Sequence, residues 1–180
     1  MKLASISSGS KGNCILVENK DTSLLVDVGI SKKKVEEGLF FFERDPEDID
    51  GILITHEHSD HIKGLGVFLR KYRVPVYATE KTIDYILHSP SVGKVDSDLF
   101  FAIEKNKSFD FKNLRVSPLQ ISHDAVDPVC YRFDEDSTKN KSCAIATDLG
   151  EMTEELIHSL QIRFMIMRRI IRHRPQLNLT

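Results

Sequence analysis

The sequence has little of what would mark a membrane protein, a secreted scaffold or a repeat array. Its 180 residues include three cysteines, Cys14, Cys130 and Cys143. Being odd in number, far apart and without a CxxC pair, they argue against a disulfide framework and against a zinc knuckle, and read as small apolar filler in strands. No continuous apolar stretch resembling a secretion signal opens the chain, and no later run reaches the length of a membrane span. The cytoplasm is therefore the expected compartment, with no membrane partner. Low-complexity tracts and fixed-period repeats are also missing, which sets aside disorder and solenoids. Acid is missing from one region only. Residues 161–180 carry Arg163, Arg168, Arg169, Arg172 and Arg174 and no carboxylate, so of the net charge of −2 the preceding 160 residues hold −7. Such a basic end on its own suggests a nucleic-acid or membrane contact, but composition gives no broad basic surface for the body.

The length suits one domain with one buried core. Short apolar runs rich in β-formers alternate with amphipathic stretches, which predicts a mixed α/β (α+β) fold with helices outside buried sheets. Strands are expected at Lys2–Ile6, Cys14–Glu18, Ser23–Val28, Gly51–Thr55, Val74–Ala78, Leu114–Ser122, Val129–Phe133 and Ser142–Thr147. Helices are expected at Ser31–Phe42, His61–Tyr72, Thr79–His88 and Thr153–Leu160, two of them opening on a hydroxyl cap at Ser31 and Thr153. No linker divides the chain.

The chemistry concentrates in Thr55-His56-Glu57-His58-Ser59-Asp60-His61, which follows the apolar run Gly51–Ile54. Imidazole and carboxylate without thiolate suit a borderline divalent cation such as zinc. If the chain leaving the strand stays extended, His56 and His58 project to one side and share an ion, while the turn into the next helix swings Asp60 and His61 toward a second position. The plainer reading makes Asp60 a cap for a helix beginning at His61. Against it stand Asp27, His123 and Asp148, each of which ends an apolar run as His56 does. Four such placements predict convergence on one edge of the fold.

The ordered pattern Asp27, His56-x-His58-x-Asp60-His61, His123, Asp148 resembles the motifs of the metallo-β-lactamase superfamily, whose fold is an αββα sandwich with a one- or two-metal site at one edge. Ser8-Gly9-Ser10-Lys11-Gly12-Asn13-Cys14, Leu25–Gly29, Ser122–Ala125 with Asp127-Pro128, and Ala146–Gly150 are similar to the YycJ-type branch, regarded as 5′-to-3′ DNA exonucleases. The resemblance implies that His56, His58 and His123 hold a first metal, that Asp60 and His61 hold a second, and that Asp148 bridges them. Asp27 would orient a ligand from behind, and Asp27, Asp60 and Asp148 would be the carboxylates catalysis depends on. Two zinc ions are implied, with manganese as the other candidate and the second ion the weaker. They would acidify a shared water to a hydroxide nucleophile. Hydrolysis of DNA phosphodiesters fits, and nucleic acid is the implied substrate.

The resemblance spans residues 1–160 and fades over 161–180, which reads as an atypical basic tail. A complete member continues past the Asp148 motif to a further histidine. The expectation is thus a sandwich with an incomplete C-terminal part, as truncation or a shifted frame would leave it, whose exposed strand edges favour pairing between copies. His173 is a poor substitute for the missing ligand. Two other functions follow from the same residues: hydrolysis of a small ester, lactone or thioester, and a remnant that binds metal or a partner without turnover. Elsewhere the bland readings are preferred. Asn13 lies in a glycine-rich turn that could line the site, and His88 and His158 are exposed polar residues. Lys32-Lys33-Lys34 forms a solvated helix face that could also touch phosphate, and Phe40–Phe42 belongs to the core or to a partner-facing edge.

Overall fold

The structure is a computed structural model describing residues 1–135, 141–160 and, for the backbone alone, 164–167. The first sheet holds β1 (Lys2–Ser7), β2 (Cys14–Glu18), β3 (Ser23–Val26), β4 (Gly51–Leu53), β5 (Val76–Thr79) and β6 (Phe100–Ile103), in that spatial order, with β2, β3 and β4 formed from mostly apolar, buried runs. The first three pair antiparallel, and β3 to β6 are parallel neighbours. A second sheet has the order β11-β10-β9-β8-β7, built from β7 (Phe109–Phe111), β8 (Leu114–Gln120), β9 (Val129–Glu135), β10 (Ser142–Ala146) and β11 (Phe164–Met167). Its pairs are antiparallel except β10 with β11.

Continuous hydrophobicity follows from burial on both faces. In β2, Ile15 and Val17 join Leu24, Val26, Leu53, Tyr131, Phe133 and Ile145 between the sheets. Cys14 and Leu16 face the other way, with Leu25, Ile52, Ile54 and Val76, onto the helices. Those helices are α1 (Lys32–Phe41), α2 (Ser59–Ile62), α3 (Leu65–Tyr72) and α4 (Glu80–His88), while α5 (Glu154–Leu160) covers the outer face of the second sheet through Leu156 and Leu160. The layers run α, β, β, α, the sandwich expected. All three cysteines are buried and free.

The single helix expected over His61–Tyr72 is two helices, α2 and α3, broken at Lys63–Gly64. Gly64 donates its N–H to Val28 O at 2.8 Å, and a Cβ there would lie 1.8 Å from Ile30 O, so close packing of the β3–α1 loop interrupts the helix. The edge strands β6 and β7 were not expected; Phe101 and Ala102 are exposed and β7 has three residues, so neither has a strong period. Of the segment 161–180, only Phe164–Met167 is described, as the strand beside β10; His173 and the five arginines lie outside the described residues. His88 and His158 are exposed as expected. Among the described residues, no helix is long and apolar enough to cross a membrane.

Candidate metal centre

Four strands deliver the site. Asp27 follows β3, Thr55 and His56 follow β4, His123 follows β8 and Asp148 follows β10, and their loops meet at one edge of the sandwich. Asp27 and Asp148 both sit at positive φ, 62° and 53°, where an aspartate is one of the few non-glycine residues found regularly.

The buried Asp27 carboxylate organises the first layer. Its Oδ1 accepts from Thr55 N at 2.8 Å, and its Oδ2 accepts from His61 Nδ1 at 2.7 Å. The Thr55 hydroxyl lies 2.9 Å from Asp27 Oδ2 and 3.0 Å from His56 Nδ1. Its single proton belongs to the carboxylate, so its lone pair accepts from His56 Nδ1–H. That assignment leaves His56 Nε2 unprotonated, and this atom is buried with no hydrogen-bond partner. Burial first, then the neighbouring His61, His123 and His58, pushes His56 far below the usual imidazole range, so it stays neutral.

Around the bare nitrogen stand the other imidazoles. His58 is the N-cap residue of α2 yet makes no capping bond, which frees its ring. This corrects the plainer alternative, since Asp60 lies within the first turn of α2 and does not cap it. His58 Nδ1 and His123 Nε2 are 3.1 Å apart, and one ligand atom from each of His56, His58 and His123 falls within 4.8 Å of the others. Two nitrogens on a tetrahedral zinc are separated by about 3.3 Å. An orphaned, buried acceptor facing two more imidazole nitrogens at near-ligand spacing fits a divalent cation.

A second group consists of His56, His61 and Asp148. His61 Nε2 lies 2.8 Å from Asp148 Oδ2, 3.1 Å from Asn13 Nδ2 and 3.6 Å from Asp60 Oδ2. Burial opposes charge on His61, but the Asp27 carboxylate and the bonds to Asp148 and Asp27 outweigh it and lift its pKa to about 10. Its hydrogen bond to His61 draws Asp148 below the ordinary carboxylate range. A positive charge is thus wanted beside Asp148, and a proton on His61 or a cation can supply it. Asp60 stands at the rim of this group, not inside it.

Three contributors lie outside the residues that the sequence pattern marks. Thr55 sets the tautomers, as above. Glu57 is buried, and its Oε1 accepts from Val126 N at 2.9 Å, tying the His123 loop to the His56 loop. Tyr131 donates its buried hydroxyl to Ile54 O at 2.8 Å, directly beneath Thr55. Alternation along His56-Glu57-His58 could have flagged Glu57 as pointing away from the ligands; the other two depend on pairings between distant strands. Asn13 does line the site, its side-chain N–H groups aimed at His61 and Asp60. Beside Asp60 and Asp148 lies an open cleft of about 710 Å3, bordered also by Ser8–Lys11, Asn13 and Thr147.

An αββα sandwich with a histidine- and aspartate-lined edge defines a class of metallohydrolase folds, and the family model described as the metallo-beta-lactamase superfamily matches residues 8–158. The chain belongs to that superfamily. Within it, the chain is 43% identical over 155 residues to exodeoxyribonuclease WalJ of Streptococcus pneumoniae, covering 86% of this chain and 56% of that protein. It is 40% identical over 151 residues to exodeoxyribonuclease YycJ of Bacillus anthracis, covering 84% and 55%. The chain thus spans a little over half the length of these curated relatives. Among solved structures, the Rm3 metallo-beta-lactamase superposes with a TM-score of 0.68 at 16% identity, covering 84% of this chain and 61% of that one. That likeness concerns the fold alone.

Proposed function

We propose that the chain is a metal-dependent phosphodiesterase acting on DNA in the 5′-to-3′ direction. The observation that carries the reading is His56 Nε2, a buried acceptor without a partner, grouped with His58 and His123. In this reading His56, His58 and His123 hold a first divalent cation. His61 and Asp148, with Asp60 at the rim, would hold a second. Nitrogen donors favour zinc at the first position, and the more oxygen-rich second position also suits manganese. When bound, the cations supply Lewis acidity, lowering the pKa of water and offsetting charge on a phosphoryl oxygen.

The protein's own groups orient and exclude. Asp27 accepts the Nδ1 proton of His61, so a cation that took the place of the Nε2 proton would meet a lone pair there. Thr55 does the same for His56. The Asn13 amide N–H groups hold Asp60 and His61 in place, and the cleft beside them is open, as a polymeric substrate requires. Support for DNA comes from the exodeoxyribonuclease names of the two relatives. A DNA substrate also agrees with a cytoplasmic protein.

Metal content and cleavage of 5′-phosphorylated DNA, compared among the wild type, His58→Ala and Asp148→Ala, test the reading. The expected result is bound metal and cleavage in the wild type, less metal in both variants, and cleavage reduced roughly a hundredfold or more. Equal cleavage by all three would refute the mechanism. Turnover of a thioester or lactone with none of DNA would favour a small-ester hydrolase, and metal uptake without turnover of either would favour a binding remnant.

A further inference from the structure

Beside the site lies a second cleft, of about 440 Å3, lined by Lys11, Lys32, Lys33, Lys34 and Lys63 together with Ile30, Ser31, Gly64 and Val67. Five of its nine lining residues are cationic and none is acidic, on a chain whose net charge is negative. Lys11 also borders the cleft beside Asp60 and Asp148, so the two clefts adjoin at that residue. Lys32 is held by Glu36 at 2.9 Å, and Lys33 reaches Glu37 at 3.8 Å. Lys11, Lys34 and Lys63 are exposed and enter no salt bridge among the described residues.

Pairing one turn along the helix accounts for Lys32 and Lys33, but not for Lys11, Lys34 or Lys63. Three lysines occupy the start of α1, whose first turn contains no acid, and cations there oppose the helix dipole. Nor do the lysines belong to independent loops. Asn13 N donates to Asp60 O at 2.7 Å, Gly29 N to Asn13 O at 2.8 Å, and Val28 N to His61 O at 2.8 Å. A Cβ on Gly29 would fall 1.6 Å from Asp60 O. The loops that present Lys11, the α1 lysines and Lys63 are therefore locked to one another and to the loops bearing Asp27, Asp60 and His61. The charges are held in register with the metal-ligand edge.

We infer that this lysine cleft binds backbone phosphates of the substrate strand next to the scissile one. The inference rests on the phosphodiesterase reading above and adds where the strand runs: past Lys11, toward Lys34 and Lys63, along the N-terminal end of α1. Lysine–phosphate pairs of this kind position a strand without reading its sequence, and each contributes through counterion release.

The test is fluorescence anisotropy with the metal-loaded full chain and a labelled, hydrolysis-resistant phosphorothioate single strand bearing a 5′-phosphate, over a salt series. The Lys34→Gln/Lys63→Gln double variant is expected to bind roughly tenfold more weakly, with a salt slope shallower by about 0.7 for each phosphate that is no longer neutralised. Lys112→Gln removes the same kind of charge from a lysine paired with Asp50, and should keep wild-type affinity and slope. Wild-type affinity and slope in the double variant, or an equal loss in Lys112→Gln, overturns the inference. Hydrolysis of bis(p-nitrophenyl) phosphate, which is too small to span both clefts, reads the reaction separately. If the loaded wild type fails to cleave it, the phosphodiesterase reading falls; if it cleaves while strand binding ignores Lys34 and Lys63, only the cleft assignment falls.

Discussion

Asp27 and His61, 34 residues apart in sequence, meet at 2.7 Å with both side chains buried, and the carboxylate oxygen holds a proton on Nδ1 of His61. Asp27→Asn keeps the shape and tolerates the positive φ, but it can place an N–H donor where the acceptor was. That donor would favour the His61 tautomer protonated on Nε2, the atom that a cation beside Asp148 needs bare. The expected outcome is a folded protein that binds its second ion 10- to 100-fold more weakly, at about the size found for groups behind a ligand, while the three-histidine position is retained. Titration with zinc or manganese followed by calorimetry checks it, and equal affinity at both positions would exclude the role given to Asp27.

Gly29 has no room for a side chain beside the Asp60 carbonyl. Gly29→Ala must therefore push the β3–α1 loop away from α2. A loss of about 1–3 kcal/mol in unfolding free energy is expected, together with weaker metal binding. Urea unfolding with and without metal measures both, and an unchanged midpoint would mean the two loops part easily.

Tyr131→Phe removes one hydroxyl from a site with no exposure and leaves Ile54 O without that donor. The expected destabilisation is about 1–3 kcal/mol, the usual size for stranding a buried acceptor. Because Ile54 leads into Thr55 and His56, metal affinity should decline as well. Loss of stability with no change in metal affinity would confine Tyr131 to the core.

A pH effect is expected away from the candidate metal centre. Glu36 accepts from Lys71 at 2.8 Å, from Tyr72 and from Lys32 at 2.9 Å, joining α1 to α3. Hydrogen bonds from Lys71, Tyr72 and Lys32 lower its pKa from 4.5 to about 2. A carboxylate depressed in the folded state contributes stability that is complete above its unfolded value and is lost as pH falls through the folded one. The urea midpoint of the wild type should therefore exceed that of Glu36→Gln at pH 7. The gap should narrow between pH 4.5 and about pH 2, and a gap that is constant with pH would show that the charge of Glu36 is irrelevant.

Much of the fold is legible in the sequence because burial on both faces writes itself as unbroken apolar runs: the Cys14–Glu18 strand has the bounds its apolar run predicts. The convergence of the candidate residues is legible too, since Asp27, His56, His123 and Asp148 each end such a run. What escapes lies where period and length are weak or where the cause is tertiary. Phe100–Ile103 and Phe109–Phe111 are edge strands with little alternation. The break at Gly64 comes from the β3–α1 loop packed against it, and an apolar helical pattern runs straight across that break. Asn13 reaches Asp60 across 47 residues and Glu57 reaches Val126 across 69, separations that no local pattern encodes. The lysines of the second cleft come from three separate stretches, and only the α1 trio is visible as a group.

The left-handed backbone at residues 27 and 148 also decides which chemistries the site can be retuned to. Glutamate carries the same charge, but at either position it would combine a disfavoured backbone with an oxygen displaced by one methylene. Lengthening the acid would thus shift the carboxylate out of its place in the site, although Glu43 shows that the chain tolerates a glutamate at such a φ. Asparagine fits the same dihedral angles, so charge and shape can be separated there by a single amide.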